Sequence, residues 1–328
     1  MEPAPTIFVC VFIFGKKNRR RRGRPCACPK GDMRHIRYFV TAFYILFSVC
    51  FAGVCAPGAA ADEISVSATC AMVAEIENGR ILFAKNAGER FPPASTAKVM
   101  TAIIAIENFP PDKEFSVSRR ASRTEPVIAG LKVGVRYNLR DLLTALIVKS
   151  ANDAAVVIAE GIAGDEKKFT LLMNAKAAEI GMRDTYFATA SGLPAGRPDS
   201  QYTTVEDLVR MMRYALRHGV ILDMLSKKEA EIYGSDGRRI RLKSHNKTFS
   251  RPAGVSWGKT GYTREAKRTF VGVDPSFSPH VILALLQSAD LWDDISELKQ
   301  KGLALYERNH RTPLSAILAW VKYNRQKS

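Results

Sequence analysis

Residues 91–102 read FPPASTAKVMTA. Two prolines close a loop, and the apolar run after them predicts a helix that begins near Ser95 and continues through Ile106. Ser95 and Lys98 are three residues apart, so a helix places them side by side on one face. An amine there can take the proton of the hydroxyl, and a helix N-terminus adds free N–H groups. The stretch therefore predicts a serine nucleophile that forms an acyl-enzyme.

The Ser-x-x-Lys spacing is not specific by itself. It also occurs at residues 244–247, 256–259 and 296–299. The Ser95 copy differs because it opens an apolar helix and because two further motifs follow it downstream.

Composition indicates a globular protein with material for a core. The chain has 328 residues, of which 46% are hydrophobic and 25% are charged. The net charge is +17, and residues 1–61 contribute ten Lys or Arg against two acidic residues. The remaining positive charge suits work near an anionic surface such as a cell wall. No nucleic-acid-binding motif accompanies this charge, so we expect no nucleic acid partner.

Residues 33–61 have the pattern of a secretory signal peptide. A basic start is followed by an apolar run over residues 38–54 and by Ala59-Ala60-Ala61 before Asp62. We expect cleavage there and an exported protein, periplasmic or otherwise extracytoplasmic. The alternative is an uncleaved membrane anchor, because the apolar run is long. Residues 1–32 are interpreted as a mis-assigned or disordered extension, with translation starting at Met33.

Cysteine and histidine usage excludes two kinds of site. Five of the six cysteines precede Asp62, and Cys70 lies in an apolar run typical of a buried thiol. The five histidines form no cluster with the spacing of metal ligands. We therefore expect no disulfide, no metal and no cofactor.

The order of the elements indicates an α+β fold. Apolar runs at residues 70–76 and 81–85 flank Asn78-Gly79, which predicts a hairpin. Strand-like runs return at residues 258–273 and 280–287. We expect one domain over residues 62–308, a mostly antiparallel sheet flanked by helices with an inserted helical subdomain. The predicted helices cover residues 139–148, 153–163, 165–180, 203–218 (opened by a Thr203/Glu206 capping box) and 291–308.

Residues 309–328 form a basic amphipathic tail. Thr312-Pro313 favours a helix start, and the apolar positions after it fall on one face with basic residues behind them. Such a helix over residues 311–328 can lie on a membrane surface. The alternative is a helix that packs on its own domain.

The second motif is Lys149-Ser150-Ala151-Asn152, between two predicted helices. The Ser150 hydroxyl could pass a proton between Lys98 and a leaving amine, and Asn152 could hold a substrate amide through one donor and one acceptor. The alternative is a helix cap, for which Ser, Asn and Asp are all suited.

The third motif is GKTGYT at residues 258–263. Its glycines let another backbone approach closely, so a peptide could pair with this stretch as an added strand. Lys259 and Thr260 would then face the carboxylate at the end of the peptide. The alternative is a turn with a solvated lysine.

The three motifs in this order are the set found in penicillin-binding proteins and serine β-lactamases. Over about residues 65–305 the chain resembles the low-molecular-mass D-alanyl-D-alanine carboxypeptidases, a family with a β-lactamase/transpeptidase-like fold. The stretches that carry the resemblance are residues 93–98, 139–143, 150–155, 191–193 and 259–263.

The resemblance implies three catalytic residues. Ser95 would attack the carbonyl between two D-alanines at the end of a peptidoglycan stem peptide, with Lys98 as its base. Lys259 would help to keep Lys98 neutral, because a nearby like charge lowers the pKa of a lysine. Ser150 would relay a proton to the leaving D-alanine. β-Lactams would acylate Ser95 as mimics of the substrate.

The resemblance also implies the substrate contacts. The N–H groups of Ser95 and Tyr262 would form the oxyanion hole. Tyr262 would lie in the substrate-binding strand, which also includes Gly261. Asn152 would position the acylated peptide, and Thr260 with Thr263 would bind its terminal carboxylate.

Two positions depart from the family pattern or extend it. Lys267 stands where family members often have glycine, which would alter the access of substrate to the strand. His245 lies where some relatives place a basic contact to the substrate.

Three alternative functions share this pattern. One large class of β-lactamases uses a glutamate on the loop between the second and third motifs, but residues 188–203 contain none, so we expect slow deacylation of penicillin. A D,D-endopeptidase that cuts peptidoglycan crosslinks uses identical chemistry. A catalytically idle wall-binding scaffold is the third alternative, and the three intact motifs argue against it.

Overall fold

The computed structural model describes residues 64–196, 201–252, 254–274 and 281–310. The predictions for residues 1–32, for the signal peptide at 33–61 and for the tail at 311–328 lie outside the described residues. Within those four ranges, no helix is both long enough and apolar enough to cross a membrane.

The elements follow the order that the sequence predicts. The strands of the main sheet lie near both ends of the described chain, and most of the helices lie between them. In chain order they are β1 (Cys70–Glu75), β2 (Ile81–Lys85), α1 (Lys98–Asn108), β3 (Glu114–Ser116), β4 (Arg136–Asn138), α2 (Leu139–Thr144), α3 (Asn152–Ala163), α4 (Glu166–Glu179), α5 (Val205–Ala215), α6 (Gly219–Leu225), β5 (Glu229–Tyr233), β6 (Arg239–Lys243), β7 (Trp257–Thr263), β8 (Lys267–Asp274), β9 (Val281–Ser288) and α7 (Leu291–His310).

The main sheet has five strands in the order β2-β1-β9-β8-β7, and all of its pairings are antiparallel. Strand β1 pairs with β9, so that Cys70 lies opposite Leu286. The prediction of an antiparallel sheet that joins opposite ends of the sequence is therefore confirmed. Two further hairpins, β3-β4 and β5-β6, accompany the inserted helices.

Apolar layers cover both faces of the sheet. Alternate residues of β1 point to opposite faces of the sheet. Met72 belongs to the large core, which the sheet forms with the inserted helices, and Val73 belongs to the smaller core beneath α7. Every residue of β9 is buried. A strand that is buried on both faces reads as a continuous apolar run, and this is why residues 281–286 carry no polar residue.

The structure corrects two predicted helix starts. Ser95 lies in a 3-10 turn over Ala94–Ala97, and α1 begins at Lys98, because Ala94 takes a left-handed conformation (φ 46°) directly after the prolines. The cap of α5 is Thr204, whose side chain accepts from the Asp207 N–H, and not Thr203.

The region after α5 also differs from the prediction. The helix expected to reach His218 ends at Ala215, and a separate helix α6 follows. Residues 229–243, for which no element was predicted, form a hairpin. In β6 charged and apolar residues alternate, and they are exposed and buried in turn.

Candidate active site

Ser95 and Lys98 lie together where the 3-10 turn passes into α1. The Lys98 Nζ atom lies 2.8 Å from Ser95 Oγ, and the lysine side chain has no exposed surface. The carbonyl oxygen of Pro93 accepts from Thr96 within the turn and from Thr269 of β8. The turn that carries Ser95 is therefore fixed to the sheet.

Two other acceptors surround the amine of Lys98. They are Asn152 Oδ1 at 2.7 Å and the carbonyl oxygen of Ser191 at 2.8 Å. A neutral amine has two N–H bonds and one lone pair. Since both of these oxygens can only accept, they take the two N–H bonds, and the lone pair then faces the hydroxyl of Ser95.

The environment of Lys98 favours this neutral state. Burial, as the main cause, and the positive charge of Lys259 hold the pKa of Lys98 well below its usual value. The negative charge of Asp153 acts in the opposite direction. A buried amine that is neutral near physiological pH can serve as a general base.

The carbonyl of Ser191 is a functional group that motif analysis did not identify. It belongs to a tight turn, in which Gly192 has φ 78° and its N–H donates to Thr189 Oγ1. A Cβ atom on Gly192 would lie 1.8 Å from the carbonyl oxygen of Ala94. The available signal was the Ser191-Gly192-Leu193 stretch, but nothing in it indicated that a backbone oxygen would contact Lys98.

The second motif reaches the site through an irregular helix end. Five residues of π-helix, Ala145–Lys149, follow α2, and Ser150 is left-handed with φ 63°. Helix α3 starts at Asn152, whose side chain accepts from Lys98, and its N-cap Ala151 makes no side-chain cap. Neither Ser150 nor Asn152 therefore caps α3 with its side chain, although Ser150 is the C-cap of the π-helix.

Lys259 of β7 is buried beside Ser150. Its Nζ atom donates to Ser150 Oγ at 2.9 Å and to the Thr260 carbonyl at 2.8 Å, and 2% of the residue is exposed. The alternative of a solvated lysine is therefore wrong. Burial lowers the pKa of Lys259 from 10.5 to about 7.

The other residues of the third motif lie along β7, an edge strand of the sheet. A Cβ atom on Gly261 would lie 2.7 Å from the N atom of Ser95, so only glycine permits this approach. The side chain of Tyr262 is exposed, whereas the Thr263 hydroxyl accepts from the Ala266 N–H in the turn to β8.

These elements enclose a cleft of about 270 Å³. Thr263 is not among its lining residues, and Lys98, Asn152 and Lys259 lie beneath its surface. Sequence analysis did not identify the part of the lining contributed by Pro126, Val127, Arg268, Leu291 and Trp292. The lining residues are Ser95, Pro126, Val127, Ser150, His245, Thr260, Gly261, Tyr262, Arg268, Leu291 and Trp292.

His245 and Lys267, the two positions compared with the family pattern, have different environments. His245 lines the cleft, and burial together with the charges of Lys149 and Lys259 lowers its pKa. Lys267 opens β8 with φ 49°, a left-handed conformation that glycine adopts more easily. In the described part of the chain, no cluster of His, Cys, Asp or Glu could hold a metal ion.

The buried lysine of β7 predicts an unusual dependence of stability on pH. The pKa of Lys259 is about 7 in the folded state, against 10.5 for an ordinary lysine. Between these values the unfolded chain binds more protons, so the stability of the folded state rises with pH. We expect a slope of about 1.4 kcal/mol per pH unit from this residue.

Lys259→Met, which keeps the volume, tests this dependence. The free energy of unfolding in urea is measured for both proteins from pH 7 to pH 10. The wild type should gain stability relative to the variant as the pH rises. A constant difference between the two proteins would contradict the prediction.

A serine, a buried lysine with a lowered pKa and a second Ser/Lys pair, at the edge of an antiparallel sheet, define a serine peptidase of the penicillin-binding class. The model of the D-alanyl-D-alanine carboxypeptidase family matches residues 57–289. The chain belongs to this family.

Individual relatives agree with this assignment. The chain is 30% identical over 240 residues to the D-alanyl-D-alanine carboxypeptidase DacB2 of Mycobacterium tuberculosis, covering 71% of this chain and 81% of that protein. It is 26% identical to a D-alanyl-D-alanine endopeptidase of Pseudomonas aeruginosa, covering 61% of this chain and 65% of that protein. A crystal structure of a D-alanyl-D-alanine carboxypeptidase from Mycobacterium tuberculosis H37Rv superposes with a TM-score of 0.69 at 29% identity, covering 73% of this chain and 92% of that one.

Proposed function

We propose that this chain is a serine-type D-Ala-D-Ala carboxypeptidase, which removes the terminal D-alanine of peptidoglycan stem peptides through an acyl-enzyme on Ser95. The observation that carries the proposal is the contact of Lys98 with Ser95. The amine is buried and lies 2.8 Å from Ser95 Oγ, and two further oxygens, at 2.7 and 2.8 Å, accept from it.

Acylation begins when Lys98 takes the Ser95 proton and Ser95 Oγ attacks the carbonyl carbon. The negative charge that develops on the carbonyl oxygen is stabilised by the N–H groups of Ser95 and Tyr262. Thr260 turns its carbonyl toward Lys259 Nζ, and residues two apart in a strand direct their backbone groups to the same side. This supports an oxyanion hole that includes the Tyr262 N–H.

The tetrahedral intermediate collapses when the C–N bond breaks and the leaving amine takes a proton. Ser150 supplies this proton and regains the one that Lys98 took from Ser95, so the amine of Lys98 is neutral again. Lys259 orients Ser150 by donating a hydrogen bond to its Oγ atom at 2.9 Å. Water then attacks the ester, releases the shortened peptide and restores the hydroxyl of Ser95.

The substrate contacts are part of the proposal. The peptide pairs along β7 beside Gly261, the Asn152 amide group holds its backbone, and its terminal carboxylate meets the hydroxyl of Thr260. Thr263 does not line the cleft and its hydroxyl accepts from the Ala266 N–H, so its contact with the carboxylate stays a prediction. β-Lactams present a carbonyl and a carboxylate in similar positions, and we propose that they acylate Ser95.

The cellular setting is part of the proposal. We propose that residues 33–61 direct export, that the mature chain starts near Asp62 and that it works in the periplasm or on the outer face of a membrane. The basic tail at 309–328 is proposed to contact a membrane surface. A mass spectrum of the purified protein with an N-terminus before Met33 would contradict the proposed start of the mature chain near Asp62.

A second candidate function is D,D-endopeptidase activity on crosslinked peptidoglycan. A relative with that name supports it, and the two reactions differ only in the room that they need beyond the scissile bond. Both use the same acyl-enzyme on Ser95.

The test is release of free D-alanine from a peptide that ends in Lys-D-Ala-D-Ala, with Ser95→Ala as the matched variant. We expect release by the wild type and none above background by the variant, because the variant has no nucleophile. Penicillin should acylate the wild type alone, and hydrolysis of the resulting acyl-enzyme should be slow.

The other outcomes separate the alternatives. Labelling without release of D-alanine would favour the endopeptidase, to be tested next on a crosslinked dimer. Neither labelling nor release would contradict the proposed function and favour an idle scaffold.

A further inference from the structure

Asp153 follows Asn152 in the second motif, but it takes no part in the chemistry described above. Its carboxylate is buried, with 1% of the residue exposed. Its oxygens accept hydrogen bonds from four backbone N–H groups: Ala129 (3.0 and 3.1 Å), Gly130 (2.9 Å), Leu131 (3.1 Å) and Ala154 (2.9 Å). A buried acidic side chain held entirely by backbone groups is unusual, because a buried charge is ordinarily paired with another charge.

The backbone held by Asp153 forms a wall of the cleft. Pro126 and Val127 line the cleft, and they come just before the three N–H donors at residues 129–131. The Val127 carbonyl also accepts from the N–H of Asn152 at 2.7 Å. The wall is therefore attached to the start of α3 at two points, and one of them is the carboxylate.

Asp153 also brings a negative charge near Lys98, because it directly follows Asn152, whose Oδ1 atom accepts from Lys98 Nζ at 2.7 Å. The charged groups that face Lys98 are Lys259 from β7 and Asp153 from α3, while its hydrogen-bond partners are neutral. Lys259 lowers the pKa of Lys98 and Asp153 raises it. Asp153 also acts electrostatically on Tyr137, and Lys259 acts on His245.

We propose that Asp153 is a positioning residue with two effects on the reaction: it fixes residues 126–131 as a wall of the cleft, and its buried charge sets the strength of Lys98 as a base. This inference rests on the proposed function, because it takes Lys98 to be the base. The two effects are separable, since one depends on hydrogen bonds to the loop and the other on charge.

Asp153→Asn tests both effects in the full chain. The amide removes the negative charge and sets an NH2 group against backbone donors. We expect the rate of acylation by penicillin at its high-pH plateau to fall about tenfold or more, because the wall shifts. The rise of the rate with pH should also move to lower pH, because the loss of a negative charge favours the neutral form of Lys98.

The control is Leu131→Ala, which loosens the same buried loop and keeps the carboxylate. It should slow acylation and leave the position of the pH rise unchanged. A merely structural role for Asp153 predicts the same unchanged position in Asp153→Asn, and that result would overturn the proposal. Absence of acylation in the wild type would instead contradict the proposed function.

A measurement on the wild type covers the case in which Asp153→Asn does not fold. Hydrogen exchange should show the amides of residues 129–131 exchanging as slowly as those inside α3, because a buried carboxylate holds them. Fast exchange at these amides would overturn the positioning role.

Discussion

Lys98→Met is expected to slow acylation of Ser95 by penicillin about 1,000-fold or more, because it removes the general base and keeps the volume of the side chain. The Nζ atom lies 2.8 Å from Ser95 Oγ, and no other amine of the described site contacts this hydroxyl. The remaining acylation should also lose its dependence on pH.

The sign of that dependence follows from the pKa of Lys98, which burial and Lys259 lower from the usual 10.5. The base acts when neutral, so wild-type acylation rises as the pH increases through this lowered value and then becomes constant. Without Lys98 this rise should disappear. The measurement is the second-order rate of acylation from pH 5 to pH 10.

Lys85→Met is the matched control. The Lys85 amine also donates to two backbone carbonyls, those of Val66 and Ala68, but it lies on β2 and outside the cleft. Its replacement should leave acylation unchanged, and thermal unfolding should show that both variants are folded. A Lys98→Met protein that is acylated within a factor of ten of the wild type would contradict the assignment of the base.

Gly192→Ala should disrupt the same site from its other side. The added Cβ would lie 1.8 Å from the carbonyl oxygen of Ala94, the residue before Ser95. No side chain can move aside to relieve this contact, so either the Ser95 turn or the turn at 189–193 has to shift. Either shift separates Lys98 from the Ser191 carbonyl or from Ser95.

We expect kcat/KM for release of D-alanine to fall about 100-fold in Gly192→Ala, because a displacement of about 1 Å at reacting groups has effects of that size. The free energy of unfolding should fall by about 2 kcal/mol or more. The left-handed backbone accounts for about 1–2 kcal/mol of this, and the contact with Ala94 adds to it.

Gly196→Ala isolates the contribution of the backbone. Gly196 belongs to the same loop and has a similar φ of 81°, but a Cβ there would meet no other atom of the described residues within 4 Å. It should show the conformational cost alone and nearly normal catalysis. Equal activity losses in the two variants would contradict the proposed contact between the turns.

The parts of the site that depend on neighbouring residues could be predicted from the sequence. Ser95 and Lys98 are three residues apart, so one turn of helical backbone brings them together almost regardless of the rest of the fold. The hairpin at Asn78-Gly79 is similarly local, because the turn residues specify it. The α+β class followed from the order of strand-like and helical runs, and the pairing of β1 with β9 confirms it.

The exact start of a helix was harder to predict. Ser95 lies in a 3-10 turn and Thr204 caps α5 in place of Thr203. Both differences arise from packing. Thr269 of β8 holds the turn before Ser95 through Pro93, and Thr203 is engaged in a bridge with Phe91 that leaves the cap to its neighbour.

Tertiary structure alone determined the contacts and the lowered pKa values of Lys98 and Lys259. Lys259 meets Ser150 across 109 positions of the sequence, and Lys98 meets the Ser191 carbonyl across 93. The lowered pKa values of both lysines arise because packing removes water from them, and a motif does not contain that information. The sequence determined which residues were available and in what order, because motifs are local; folding determined which of them became neutral, buried and adjacent, because those properties belong to the assembled core.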